Sequence, residues 1–211
     1  SEAEMHLDLG LVLAGHEASG FDRWRVLTNM ANLLRKRAGD ARCRAAACQC
    51  AEFARRGLDI VGRVEAHCIE HDKLPVLLDA QSVAGLLLLQ LDQPEAAYEK
   101  FRAVRDLAVA RKNRSVLSFI GLEMARLELL AGNRDAAEQS IQAGLREAAL
   151  FRPSNKAAAL SALMAEICAA RGDADADLRW RTAAAQAQTE FEELTREARR
   201  QIGRVLHSLP E

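Results

Sequence analysis

The feature that most constrains this chain is a turn signature that returns at a fixed interval. Asp92-Gln93-Pro94-Glu95-Ala96-Ala97, Gly132-Asn133-Arg134-Asp135-Ala136-Ala137 and Gly172-Asp173-Ala174-Asp175-Ala176-Asp177 stand 40 residues apart. Each follows an apolar run and opens an amphipathic one. Asn133 and Asp173 suit N-cap positions, and Pro94 suits a first helical turn, where its missing N–H costs nothing. A weaker copy is Gly39-Asp40-Ala41. A constant period of this length is the mark of stacked supersecondary units, each too small to bury its own apolar face.

The segments before the turns, Leu74 to Leu91, Val116 to Ala131 and Ala157 to Ala170, are apolar almost all round. Those after them are striped, as in Ala97/Phe101/Val104/Ala108 and Ala137/Ile141/Leu145/Ala148. Inner helices buried on most sides therefore alternate with outer helices buried on one. β-Branched residues never gather into alternating runs, so no strand is expected. Alanine, leucine, arginine and glutamate dominate and lose little freedom in a helix. The fold class is all-α, an α-solenoid of stacked antiparallel hairpins ending in a long C-terminal helix. Small residues at Ala96, Ala97, Ala136 and Ala137 allow close helix contact.

The pattern Gly85-x2-Leu88-x8-Ala97-x3-Phe101-x2-Val104 is similar to the tetratricopeptide consensus of small, Leu, Ala, Phe and Ala positions. The next copy carries it as Ala125, Ala137, Ile141 and Gly144, and a third, looser copy as Ala165, Asp177 and Ala184. The usual period is about 34 residues, so 40 implies longer helices. Such long-helix arrays resemble the sensor or scaffold regions of bacterial signalling and regulatory proteins. The resemblance implies one domain over 1–211, with irregular N-terminal helices over 1–73 and repeats at 74–113, 114–153 and 154–207. It also implies a concave groove lined by Asp79, Ser82, Leu86, Phe119, Leu122, Arg126 and Glu166, able to accept a partner helix or peptide. Arg126 is the only cation at those positions, which speaks against gripping a peptide carboxylate.

Before residue 74 the pattern is less regular. Short helices are expected over 3–15 and Asp22–Arg37, and a longer one over Ala41–Glu70 that bends near Gly57. From Asp175 the helical pattern runs unbroken to Gly203, and a terminal helix of that length is a candidate for homodimerisation. The abrupt start and the ending at Leu209-Pro210-Glu211 fit a segment cut from a longer protein.

Candidate chemistry is sparse. Cys43, Cys48, Cys50, His67, Cys68 and His71 crowd into residues 43–71, and His67 and His71 are i,i+4 on a helix. A metal- or redox-responsive regulator using this cluster is the alternative function, and it requires the side chains to converge. Small buried cysteines beside a solvated histidine pair account for the same residues without a metal. Asp173-Ala174-Asp175-Ala176-Asp177 begins like a calcium loop but has Leu178 and Ala184 where Gly and Glu are required. Its acids instead favour the positive end of a helix dipole. No phosphate loop, nucleophile elbow, H-E-x-x-H or dinucleotide-binding glycine pattern occurs, so neither an enzyme nor a cofactor is expected.

Net charge is −1, from 29 basic and 30 acidic side chains. The basic clusters Arg35-Lys36-Arg37 and Arg196/Arg199/Arg200/Arg204 make no net basic surface, the second being offset by Glu190, Glu192, Glu193 and Glu197. Direct nucleic-acid binding is not expected. Residues 1–20 lack the pattern of a secretory leader, and Leu86-Leu87-Leu88-Leu89 is too short to span a bilayer. Five cysteines without framework spacing fit a reducing compartment, hence the cytoplasm. The expected partner is a protein or peptide.

Overall fold

The computed structural model describes residues 27–29, 31–36, 47–114, 116–150 and 154–207. Their regular secondary structure is entirely helical. Residues 27–29 and 31–36 are helical, and seven longer helices follow: α1 (Ala47–Glu70), α2 (Leu74–Gln90), α3 (Pro94–Ala110), α4 (Leu117–Leu130), α5 (Arg134–Ala148), α6 (Asn155–Ala170) and α7 (Ala174–His207). The helix expected over 3–15, the turn Gly39-Asp40-Ala41 and Cys43 lie outside the described residues.

One helix-ending device recurs. The second residue after the helix takes a left-handed conformation at Asp72, Asp92, Lys112, Gly132 and Gly172, with φ of 49°, 60°, 55°, 78° and 79°. These positions differ by multiples of 20. In each turn the next N–H reaches back to a carbonyl five residues earlier: Lys73 to Cys68, Gln93 to Leu88, Asn113 to Ala108, Asn133 to Glu128 and Asp173 to Cys168, at 2.8–3.0 Å. This is the Schellman closure, which satisfies carbonyls left over at a helix end. The chain then enters the next helix at once. Pro75 and Pro94 occupy first-turn positions. Asp173 caps α7 by accepting from the Ala176 N–H at 2.9 Å, and Ser154 caps α6 by accepting from Lys156. Asn133 stands at the N-cap of α5 without a side-chain capping bond.

The chain divides into two compact units, with the boundary in the sequence between Asn113 and Arg114. In the first, α1 packs on α2 and α2 on α3. Its core gathers Leu27, Leu34, Ala54, Val61 and Val64 with Ala80, Ala84 and Leu87 of α2. α1 runs through Gly57 without interruption. The glycine serves contact instead: a Cβ there would stand 2.9 Å from both Leu87 methyls. On the other side of α2, Gly85 receives the Phe101 ring so closely that a Cβ would lie 2.5 Å from it. Phe101 and Ala97 are completely buried; sealing one such aromatic side chain is worth about 1.5–3 kcal/mol. Lys100 pairs with Glu65 at 2.7 Å, tying α3 to α1.

In the second unit α4 packs on α5, α5 on α6, α6 on α7, and α4 also meets α6. Ala125, Ala137, Ile141, Leu160, Met164 and Ile167 form its core. The tightest contact sets Gly121 against α5, where a Cβ would come 2.9 Å from the Gly144 Cα and the Ser140 carbonyl oxygen. Arg114 forms two 2.8 Å hydrogen bonds to Glu147, which hold the Glu147 carboxyl below its ordinary range. Arg171, in the α6–α7 turn, reaches Glu138 at 2.7 Å and Asp135 at 2.9 Å on α5. No helix among the described residues is long and apolar enough to cross a membrane.

The left-handed turns give a direct prediction. A side chain in that conformation costs about 1–2 kcal/mol, whereas glycine loses roughly 0.5–1 kcal/mol of chain entropy on folding. Lys112→Gly should therefore raise stability by a few tenths to about 1 kcal/mol, and Gly132→Ala should lower it by about 1 kcal/mol. Urea unfolding midpoints measure both, and a destabilised Lys112→Gly would contradict the turn assignment.

Candidate functional site

The seven positions expected to line a groove divide between the units. On α2 of the first, Asp79 is exposed, Leu86 is half-buried and Ser82 is 6% exposed. The Ser82 hydroxyl is turned back on its own helix, donating to the Leu78 carbonyl at 2.7 Å. On α4 of the second, Leu122 is 4% exposed and belongs to the core. Ser82 and Leu122 thus offer a partner almost no surface. Both face a neighbouring helix, because helices surrounded on several sides have few positions left to expose.

What stays accessible in the second unit is a small mixed surface. Phe119 is half-buried, and the Lys156 ammonium lies 5.9 Å from its ring centre, within cation–π range. Arg126 is exposed and donates to the Glu123 carboxylate at 2.8 Å. Glu166 is exposed on α6. Lys156 is an addition to the expected set, and Glu123, itself only 6% exposed, acts by holding Arg126. Lys156 stands one turn before Ala159, the first groove position of its repeat by the 40-residue register. Glu123 stands three residues before Arg126, a spacing that brings the two side chains together on a helix.

Among the described residues, the cysteines at the start of the Cys/His stretch do not meet those at its end. Cys48 and Cys50 occupy the first turn of α1 and His67 and Cys68 its last, on one uninterrupted helix. At about 1.5 Å per residue, Cys50 and Cys68 are about 27 Å apart, far beyond the ~7 Å Cα separation a disulfide allows. Cys50 donates toward the Gln90 carbonyl at 3.5 Å. Burial pushes the Cys68 thiol up, with the nearby Glu65 charge adding to it. Burial likewise raises Cys168, reinforced by Asp173 and Glu138. Raised thiols stay protonated and are poor nucleophiles and poor ligands.

The end of α1 does hold a group together. The rings of His67 and His71 have centroids 4.1 Å apart and are tilted by 52°. Glu70, not among the residues expected to cluster, brings a carboxylate oxygen to 3.8 Å from His71 Nε2. One ligand-type atom from each of the three lies within 4.8 Å of the others. The H-x-x-E-H order was the signal that could have found Glu70.

α7 has 34 residues against 16 in α6, its hairpin partner, so its second half outruns that helix. Trp180 packs on the core of the unit. Further along, Phe191 is half-buried, Leu194 is 51% exposed and Ile202 is 60% exposed. A shallow recess along this half is lined by Phe191 and Thr195 with Arg196, Arg199 and Arg200 among others.

No protein-family model matches the sequence, and no curated protein does.

The burial of the thiols predicts their reactivity. Of the four described cysteines Cys48 is exposed, while Cys50, Cys68 and Cys168 are buried. Alkylation of the folded chain followed by peptide mass mapping should label Cys48 first, with the other three reacting at a rate set by unfolding. Prompt labelling of Cys68 would contradict the packing of α1.

Proposed function

We propose that this chain is a tetratricopeptide-like interaction module, binding a protein or peptide partner rather than catalysing a reaction, and that α7 pairs with a second copy. In terms of the resemblance, it would serve as a scaffold or sensor segment of a bacterial regulatory or signalling protein in the cytoplasm. The hairpin pairing of sequence-adjacent helices, closed by one turn type at separations of 20 or 40 residues, supports the repeat part of this reading. Arrays of this kind use their helical faces as extended binding surfaces. The accessible surface of Phe119, Arg126, Lys156 and Glu166 suits an amphipathic helix carrying both an apolar side chain and charge.

The observation that carries the pairing is the outer half of α7. Phe191, Leu194, Ala198 and Ile202 are spaced by three and four residues and form an apolar stripe along one face, the spacing of a helix–helix seam. Charge along the same helix is ordered, with Glu190, Glu192 and Glu193 preceding Arg199, Arg200 and Arg204. In an antiparallel pair the acidic stretch of one copy lies beside the basic stretch of the other. An in-register parallel pair would set like charges together. The occupant whose chemistry fits this surface is therefore α7 of a second chain.

Burying Leu194 and Ile202 of both copies is worth about 3 kcal/mol or more. Sedimentation equilibrium over a concentration series should show a dimer. Leu194→Glu with Ile202→Glu should weaken it by roughly a hundredfold or more while helicity is kept. A wild-type chain that stays monomeric, or a dimer indifferent to the two substitutions, would overturn the pairing.

A further inference from the structure

We infer that the C-terminal turn of α1 is a binding site for a single divalent transition-metal ion, held by His67, Glu70 and His71. The inference does not depend on the proposed interaction function, since it rests on a different helix and on different chemistry.

Three observations converge. The first is spacing: at i, i+3 and i+4 the three side chains rise from one face of the final turn. The second is distance. Their ligand atoms already stand within 4.8 Å of one another. Metal–nitrogen and metal–oxygen bonds of about 2.0–2.2 Å bring tetrahedral ligands to roughly 3.5 Å apart. Closing the remaining gap asks for side-chain rotation, which His71 and Glu70 can supply, their side chains being 48% and 75% exposed, around a half-buried His67. The third is field. The last turn of a helix carries the negative end of its dipole and favours a cation.

The donor set identifies the class of ion. Two imidazoles and one carboxylate suit zinc, copper, nickel or cobalt in the divalent state. Calcium and magnesium prefer all-oxygen shells and are excluded by the same chemistry. Cys68 does not join in, because it is buried and stands about 100° round the helix from His67. Three protein ligands leave one tetrahedral position for water or for a side chain of a partner. Asp72 and Lys73 follow directly in the turn to α2, and Asp72 is engaged by Arg111 at 3.3 Å. An ion here would brace the last turn of α1 where the chain leaves the helix.

The test is a calorimetric titration of zinc ion into the full chain, in a background carrying Cys43→Ser and Cys48→Ser to remove accessible thiols. The expected result is one ion per chain in both the background and the wild type. The unfolding midpoint should rise as zinc concentration passes the Kd. His71→Ala and Glu70→Gln should each leave helicity unchanged by circular dichroism, and His71→Ala should weaken binding by roughly tenfold or more. Binding that survives His67→Ala and His71→Ala together, binding lost on removing the thiols alone, or no binding by the wild-type chain would each overturn the assignment.

Discussion

Close approach between consecutive helices is the constraint on which the rest of this structure depends. Gly85 admits the Phe101 ring, and Gly121 lies directly on Gly144 and the backbone of Ser140. Ala97 and Ala137 are sealed at the same interfaces. Protein interiors are packed like crystals, so contacts this tight leave no room for one added methyl without moving a ring or a backbone. Once two helices are locked at that distance, the length of each and the position of its turn are no longer free. The left-handed residues at 72, 92, 112, 132 and 172 follow from it. Each must end one helix and start the next within about three residues.

The surfaces available for function are what that packing leaves over. α2, α4 and α6 spend most of their circumference on neighbours, so Ser82 and Leu122 disappear from any surface. Phe119, Arg126 and Glu166 remain because they sit on the remaining arc. α7 differs because it is about twice the length of the helix it pairs with. Its first half is anchored through Ala176 and Trp180, while its second half carries exposed Leu194 and Ile202. Unequal lengths within one hairpin thus divide α7 into a part that folds the unit and a part offered outward.

Much of this was legible in the residues. The two glycines at 132 and 172, the proline at 94 and the acid at 173 mark helix boundaries by mechanisms that act locally. Apolar periodicity separated the surrounded helices from the striped ones. Asp72, Asp92 and Lys112 were harder to read as left-handed positions, because none is glycine and the surrounding turn enforces the conformation. The Cys/His stretch divides for a simpler reason: Cys48 and Cys50 are close to His67 and His71 in sequence, but a helix of 24 residues carries its two ends far apart. Ser82 and Leu122, groove positions by the repeat register, are buried, and burial depends on packing that the register does not see. Lys156 escaped notice because its importance comes from Phe119, on another helix.

A double-mutant cycle on Gly85 and Phe101 tests the close-approach claim most directly. Gly85→Ala places a methyl 2.5–2.9 Å from three atoms of a completely buried ring and should destabilise by about 1–3 kcal/mol. The same substitution in a Phe101→Leu background, where the ring is gone, should cost much less. A coupling of about 0.5 kcal/mol or more between the two sites is the predicted result. Additive effects would contradict the account, because they would mean that the glycine and the ring do not share the space on which the hairpin is built.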